Sequence, residues 1–198
     1  MSIALMNTAA LLLEIQNDYF QNGKIALEKS LEASAKTQMI LKACREKGLL
    51  IIHVQHIATD PNASYFLPCT KGAEFHPSVQ PHKGEIIIKK HYPNSFKDTY
   101  LLDRLKNNKI QNLIICGMTT QSSVDATVRA AHDFGFNNTV IHDACAAHTL
   151  EFDNVTVPTQ SVHSAFLAAL RPVYASIMSA DEYLQKMGAF PRTAEAVA

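Results

Sequence analysis

Short apolar runs alternate with segments of helical period along most of this chain. AALLLEI (9–15) is a continuous apolar run ending in a charge, the pattern of a parallel strand buried on both faces. LLIIHVQH (49–56), EIIIKK (85–90), NLIICG (112–117), NTVIHDA (138–144) and VYASIM (173–178) repeat it. Between them lie helical patterns at 29–47, 99–108, 123–134 and 159–171. Gly48 and Gly135 stand where helix-ending glycines belong, and Thr159 stands where an N-cap belongs. Ser179 and Glu182 have the spacing of a capping box for one last helix.

Six apolar strands alternating with helices predict a three-layer α/β/α sandwich. Its sheet is expected to be mostly parallel and Rossmann-like, with strand order 3-2-1-4-5-6. Residues 57–84 break the alternation. They hold four prolines and two glycines with no clear period. A loop that long in a compact domain is usually functional. No repeat or linker divides the chain, so residues 1–198 read as one domain. The end, FPRTAEAVA (190–198), is expected to be loosely held or to reach a neighbouring subunit.

Composition narrows the function. The 198 residues are 47% hydrophobic and 18% charged, with 18 basic and 18 acidic side chains. No basic block appears, which argues against nucleic acid as a partner. No apolar run reaches the roughly 18 residues of a membrane helix. The start, MSIALMNTAALLLEIQND, lacks a basic lead and a small-residue cleavage site, and reads as cytoplasmic. Cys44, Cys69, Cys116 and Cys145 form no CxxC pair, so neither a disulfide framework nor a cysteine zinc site is expected. A neutral molecule repels its own copies weakly, which permits a homo-oligomer.

Ligands of open α/β sheets bind beyond the carboxyl ends of the strands. Glu14 ends the first strand, Lys90 the third, and Ser123 follows the fourth. With strands one and four adjacent, all three converge. The carboxylate can take a proton from the hydroxyl, and the ammonium steadies developing negative charge. Backbone N–H groups at the start of helix 123–134 are candidate oxyanion donors. Lys89 competes with Lys90, since register decides which points inward. Ser123 could instead serve as a helix N-cap or line the pocket.

Four stretches together resemble the isochorismatase-like hydrolases, often called cysteine hydrolases, over nearly the whole chain. ALLLEIQNDYF (10–20) resembles their opening strand, where an Asp followed by Gln-Asn-Asp-Phe is usual. KGAEFHPSVQP (71–81) and GEIIIKKHYPNSFKDTYL (84–101) resemble the segment that carries their lysine, which falls on Lys90. ICGMTTQSSVDATVRAAHDFGF (115–136) resembles their nucleophile loop, whose cysteine falls on Ser123. VIHDACAA (140–147) and VHSAFLAAL (162–170) also fit. The resemblance implies an Asp-Lys-Cys triad that hydrolyses amide or related C–N bonds through a thioester. It also implies a non-proline cis peptide near Met118-Thr119, oxyanion donors at Thr119 and Ser123, no cofactor and a small-molecule substrate. Phe20, His56, Phe66, Phe96, Thr120 and Gln121 are the candidate pocket residues.

Two triad positions depart from the pattern: Glu14 for Asp and Ser123 for Cys. The glutamate carboxylate lies one methylene farther from the backbone, roughly 1.5 Å. Serine is far less acidic than cysteine and needs a true general base. A carboxylate beside an ammonium is a weak one. Three readings follow. Chemistry without a covalent step is one, since the true isochorismatases of the family cleave a vinyl ether and lack the cysteine; Glu14 would then donate a proton. Ser123 as nucleophile with Glu14 as base is the second. A degenerate site in a binding or scaffold protein is the third. His53, His56 and Asp60 lack the Asp-x-His spacing of nicotinamidase-type metal sites, and His76, His82 and His91 fit no ligand motif, so no metal is expected. Cys145 follows a strand end and is either a displaced nucleophile or a small buried hydrophobe. No GxSxG elbow or glycine-rich phosphate loop is present.

Overall fold

The computed structural model describes residues 5–188. The strands are β1 (Thr8–Leu13), β2 (Leu50–His56), β3 (Ile86–Lys90), β4 (Asn112–Met118), β5 (Asn137–Ala146), β6 (Leu150–Phe152), β7 (Val155–Val157) and β8 (Ser176–Met178). The α-helices are α1 (Ser30–Glu46), α2 (Leu101–Asn107), α3 (Asp125–Asp133), α4 (Thr159–Leu170) and α5 (Ala180–Met187). Six strands form one sheet in the order β3-β2-β1-β4-β5-β8, every neighbouring pair parallel. This is the expected order; the sixth strand of the sheet is the eighth in the chain because a hairpin intervenes. No helix among the described residues is long and apolar enough to cross a membrane.

Alternating side chains divide the core into two layers. Ala10, Leu12 and Ile51 pack with α1 and α5. Leu11, Leu13, Ile52, Val54 and Ile88 pack with α2, α3 and α4 on the opposite face. Lys90 has the parity of Ile88 and is fully buried, whereas Lys89 is exposed. Register therefore turns Lys90 inward.

Several local expectations need correction. Thr159 is the first residue of α4 rather than its cap; Pro158 holds the cap position, and the Thr159 hydroxyl meets Thr149 at 2.9 Å. The final strand starts at Ser176, three residues later than expected, because 171–174 forms a turn. The β6–β7 hairpin has no counterpart among the expected strands. Its two-residue loop, Asp153-Asn154, has φ of 49° and 61°, the double left-handed turn that suits a hairpin. Residues 57–84 are not structureless: they contain 3-10 turns at Lys71–Ala73 and Pro77–Val79. The expectation for 190–198 concerns residues outside those described.

Candidate active site

β1 ends at Leu13, and the chain turns at Glu14 with φ 50°, a left-handed conformation. Strand parity alone would send residue 14 to the α1 face. The turn instead carries its carboxylate to the side of Lys90. Glu14 Oε1 lies 2.6 Å from Lys90 Nζ and accepts a hydrogen bond from Ser123 Oγ at 2.6 Å. All three side chains are nearly excluded from solvent, at 2%, 0% and 3% exposure for Glu14, Lys90 and Ser123. Lys90 Nζ also donates to the carbonyl of Pro93. His56, at the end of β2, brings Nδ1 to 3.7 Å from the same Glu14 oxygen. The other oxygen, Oε2, accepts from Tyr19 OH at 3.3 Å.

Charge settles the protonation states. Burial alone would raise the Glu14 carboxyl, but Lys90 and His56 outweigh it and hold it at about 2. Glu14 is therefore a carboxylate near neutrality. Burial lowers the Lys90 ammonium from the ordinary lysine value, while the Glu14 charge works against that shift. Burial and the neighbouring carboxylate raise the Tyr19 phenol well above its usual range, so it acts as a neutral donor.

Ser123 is not a helix N-cap. A π-helical turn spans Thr120–Val124 ahead of α3, with Thr119 at its cap position. Val124 N–H reaches back to Thr119 O at 3.1 Å, the wide ring of a π turn. That extra width places Ser123 mid-turn with its hydroxyl on Glu14. The Met118-Thr119 peptide is cis. Gly117, just before it, pairs with Leu13, and a Cβ there would lie 2.1 Å from Leu13 O. Only glycine lets β4 approach β1 so closely beside Glu14.

The remaining candidate residues separate. Phe66 joins the site: its ring packs edge-on against Tyr19, with centroids 4.9 Å apart, and lies 5.6 Å from His56. Gln121 shares the π turn with Ser123, and its Oε1 is enclosed without a hydrogen-bond partner. Thr120 is committed elsewhere, donating to Ala146 O at 3.2 Å and meeting His163 Nδ1 at 2.9 Å. Phe20 stacks on His76, with centroids 3.6 Å apart, and Phe96 packs with Phe134 and Phe136; their ring partners are not those around Glu14. His53 sits three residues before His56 on β2 and so faces the other side. It pairs with Glu85 at 2.8 Å. Cys145 is buried, and burial pushes its thiol up to about 12, which removes it as a displaced nucleophile.

Two groups of residues escaped the sequence reading. Tyr19 and the half-buried His148, 6.1 Å from it, complete the aromatic wall. Gln16 and Asp18 hold the long loop over the site. Gln16 donates to His56 O at 2.9 Å and Ala73 O at 2.7 Å, and accepts from His56 N at 2.7 Å. Asp18 accepts from Phe66 N at 2.7 Å and Lys24 N at 3.2 Å. A polar triplet directly after a buried strand was the available signal: such groups must find partners, and an adjoining loop supplies them.

This fold has known counterparts. The Isochorismatase domain matches residues 8–182. The chain belongs to the isochorismatase family. It is 42% identical over 180 residues to the isochorismatase family protein YddQ of Bacillus subtilis, covering 91% of this chain and all of that protein. A crystal structure of an isochorismatase hydrolase from Oleispira antarctica superposes with a TM-score of 0.88 at 42% identity, over 93% of this chain and all of that one. A streptothricin hydrolase of Streptomyces noursei is 30% identical over 142 residues, 72% of this chain and 50% of that enzyme. Members of the isochorismatase family are hydrolases.

Proposed function

We propose that this chain hydrolyses an amide or related C–N bond of a small molecule, with Ser123 as nucleophile, Glu14 as its base and Lys90 as the fixed positive charge. The single supporting observation is that Ser123 Oγ and Lys90 Nζ each lie 2.6 Å from the same Glu14 oxygen. In this reading Oγ attacks the substrate carbonyl carbon while its proton passes to Glu14 Oε1. The oxyanion is assigned to backbone N–H groups of Thr119 and Ser123, at the cap of and within the π turn that carries the nucleophile. Collapse breaks the C–N bond, and the departing amine takes the proton from Glu14. Water then attacks the acyl ester, giving its proton to Glu14, and Ser123 leaves with a proton regained. Gln121 Oε1, enclosed and unpartnered, is a ready acceptor for a substrate N–H. The 30% identity to a streptothricin hydrolase supports hydrolysis as the reaction class.

The vinyl-ether reading is weaker here. It asks Glu14 to donate a proton, and a carboxyl held at about 2 has none to give near neutrality. The same low value makes Glu14 a weak base, which supports slow rather than fast turnover. A panel of small amides and vinyl ethers tests the proposal. Amide turnover should fall at least about 10²-fold in Ser123→Ala, Glu14→Gln and Lys90→Ala. Ser123→Cys should raise it, since a thiol beside Lys90 ionises readily. Ligand binding without turnover of any substrate, in the wild type and in Ser123→Cys alike, would instead establish a binding protein on this scaffold.

A further inference from the structure

The two oxygens of Glu14 are unequally loaded. Oε1 takes Ser123, Lys90 and the more distant His56, whereas Oε2 has Tyr19 OH. A glutamate carboxylate turns about a broad terminal torsion. It also has one more rotatable bond than an aspartate would have. Unless Oε2 is held, the group can turn and let Lys90 take both oxygens, which draws the acceptor away from Ser123. We propose that Tyr19 is a positioning residue that anchors Glu14 Oε2 and thereby keeps Oε1 aimed at Ser123; this rests on the reading of Ser123 as nucleophile given above.

Tyr19 is itself rigidly placed. It is 5% exposed, its ring is fixed edge-on by Phe66, and its backbone is bonded at both ends, N–H to Gln16 O at 3.0 Å and C=O to Leu27 N at 2.9 Å. Phe66 is in turn held by Asp18, one residue before Tyr19. One short turn, Asn17–Tyr19, therefore sets the loop above the site and the carboxylate within it. A phenol in this place donates but accepts little, because a carboxylate offers it no proton. Removing that one oxygen deletes the bond to Glu14 while the ring contacts with Phe66 and His148 stay, which separates the effect from packing.

Tyr19→Phe keeps the ring and deletes the donor. Two measurements read it. The first is the rate at which a fluorophosphonate probe labels Ser123, with Ser123→Ala as the blank. The second is the side-chain carboxyl 13C resonance of Glu14 at pH 7, assigned by its loss in Glu14→Gln. The expected result is labelling slowed about tenfold together with a displaced Glu14 resonance, at a thermal midpoint close to wild type. An unmoved resonance overturns the proposal, whether or not labelling slows. Should the wild type not label at all, the nucleophile reading fails by itself. The resonance then decides the Tyr19 contact alone: displaced, the anchor stands; unmoved, it falls. 3-Fluorotyrosine at position 19 supplies a second test. Its hydroxyl donates more strongly, so it should preserve labelling and move the resonance in the direction opposite to Tyr19→Phe; a shift in the same direction overturns the anchor.

Discussion

Glu14 combines two costs, a left-handed backbone at φ 50° and an ionised carboxylate with 2% exposure. Such a backbone conformation costs about 1–3 kcal/mol and persists only where surroundings enforce it. Lys90 is the partner that makes the buried charge tolerable, and the reverse holds equally. The pair should therefore be strongly coupled. Lys90→Met leaves the carboxylate unpaired and is expected to cost about 3–5 kcal/mol of unfolding free energy in urea. Glu14→Gln leaves the ammonium unpaired and should also destabilise. The double variant should recover much of the loss, since removing both charges removes the desolvation burden with them. Simple additivity of the two single losses would show that the ion pair at 2.6 Å contributes nothing through mutual attraction.

At the scale of elements, the site depends on how closely β1 and β4 run together. Leu13 and Gly117 are register partners, and the φ of 133° at Gly117 lies in a region that residues with a Cβ rarely enter. Gly117→Ala should cost about 3 kcal/mol and separate Ser123 from Glu14, seen as a lower urea midpoint with the labelling of Ser123 lost. Retention of both would mean the strands can part without consequence for the site. The strands themselves were legible because apolar runs bounded by glycine and polar residues have few alternatives, and their order was expected from the Rossmann-like alternation of strand and helix. Glu14, Lys90 and Ser123 could be proposed together because each lies at or shortly after the carboxyl end of a strand, where ligands of such sheets bind. What escaped depends on tertiary geometry. The π turn at Thr120–Val124 looks like ordinary helix in sequence, so Ser123 was open to a capping reading. Tyr19 reads as one more aromatic until its hydroxyl is seen on Glu14. Phe20 and Phe96 have the same composition signal as Phe66, and only packing separates them.

Across the whole molecule, two carboxylates tie separate layers together and give the fold a common acid sensitivity. Glu14 links β1 to β3 and the π turn. Glu85, just before β3, accepts from Arg45 of α1 at 2.7 and 2.9 Å, from His53 of β2 at 2.8 Å and from His82 N at 2.8 Å. Burial opposes ionisation of Glu85, but these donors outweigh it and hold the carboxyl at about 2. Because Glu85 is acceptor only, His53 Nε2 carries the proton. That leaves His53 Nδ1 buried and without a partner, in an imidazole that burial keeps from protonating. Both glutamates ionise more readily folded than unfolded, where the value is 4.5. The unfolded chain therefore binds more protons between about pH 4.5 and 2, and each group's contribution, complete above that window, is lost as pH falls through it. Each can add about 1.4 kcal/mol per pH unit to the acid slope. Glu85→Gln should lower stability at pH 7 by about 2 kcal/mol and flatten the fall between pH 4.5 and 3. Urea titrations at pH 7, 4.5 and 3 provide the check. An acid slope identical to wild type would mean that the α1–β2–β3 tie is not what acid breaks. The acid transition would then rest on the other carboxyls held low by the fold, Glu14 at the site and Glu182 in the α5 capping box.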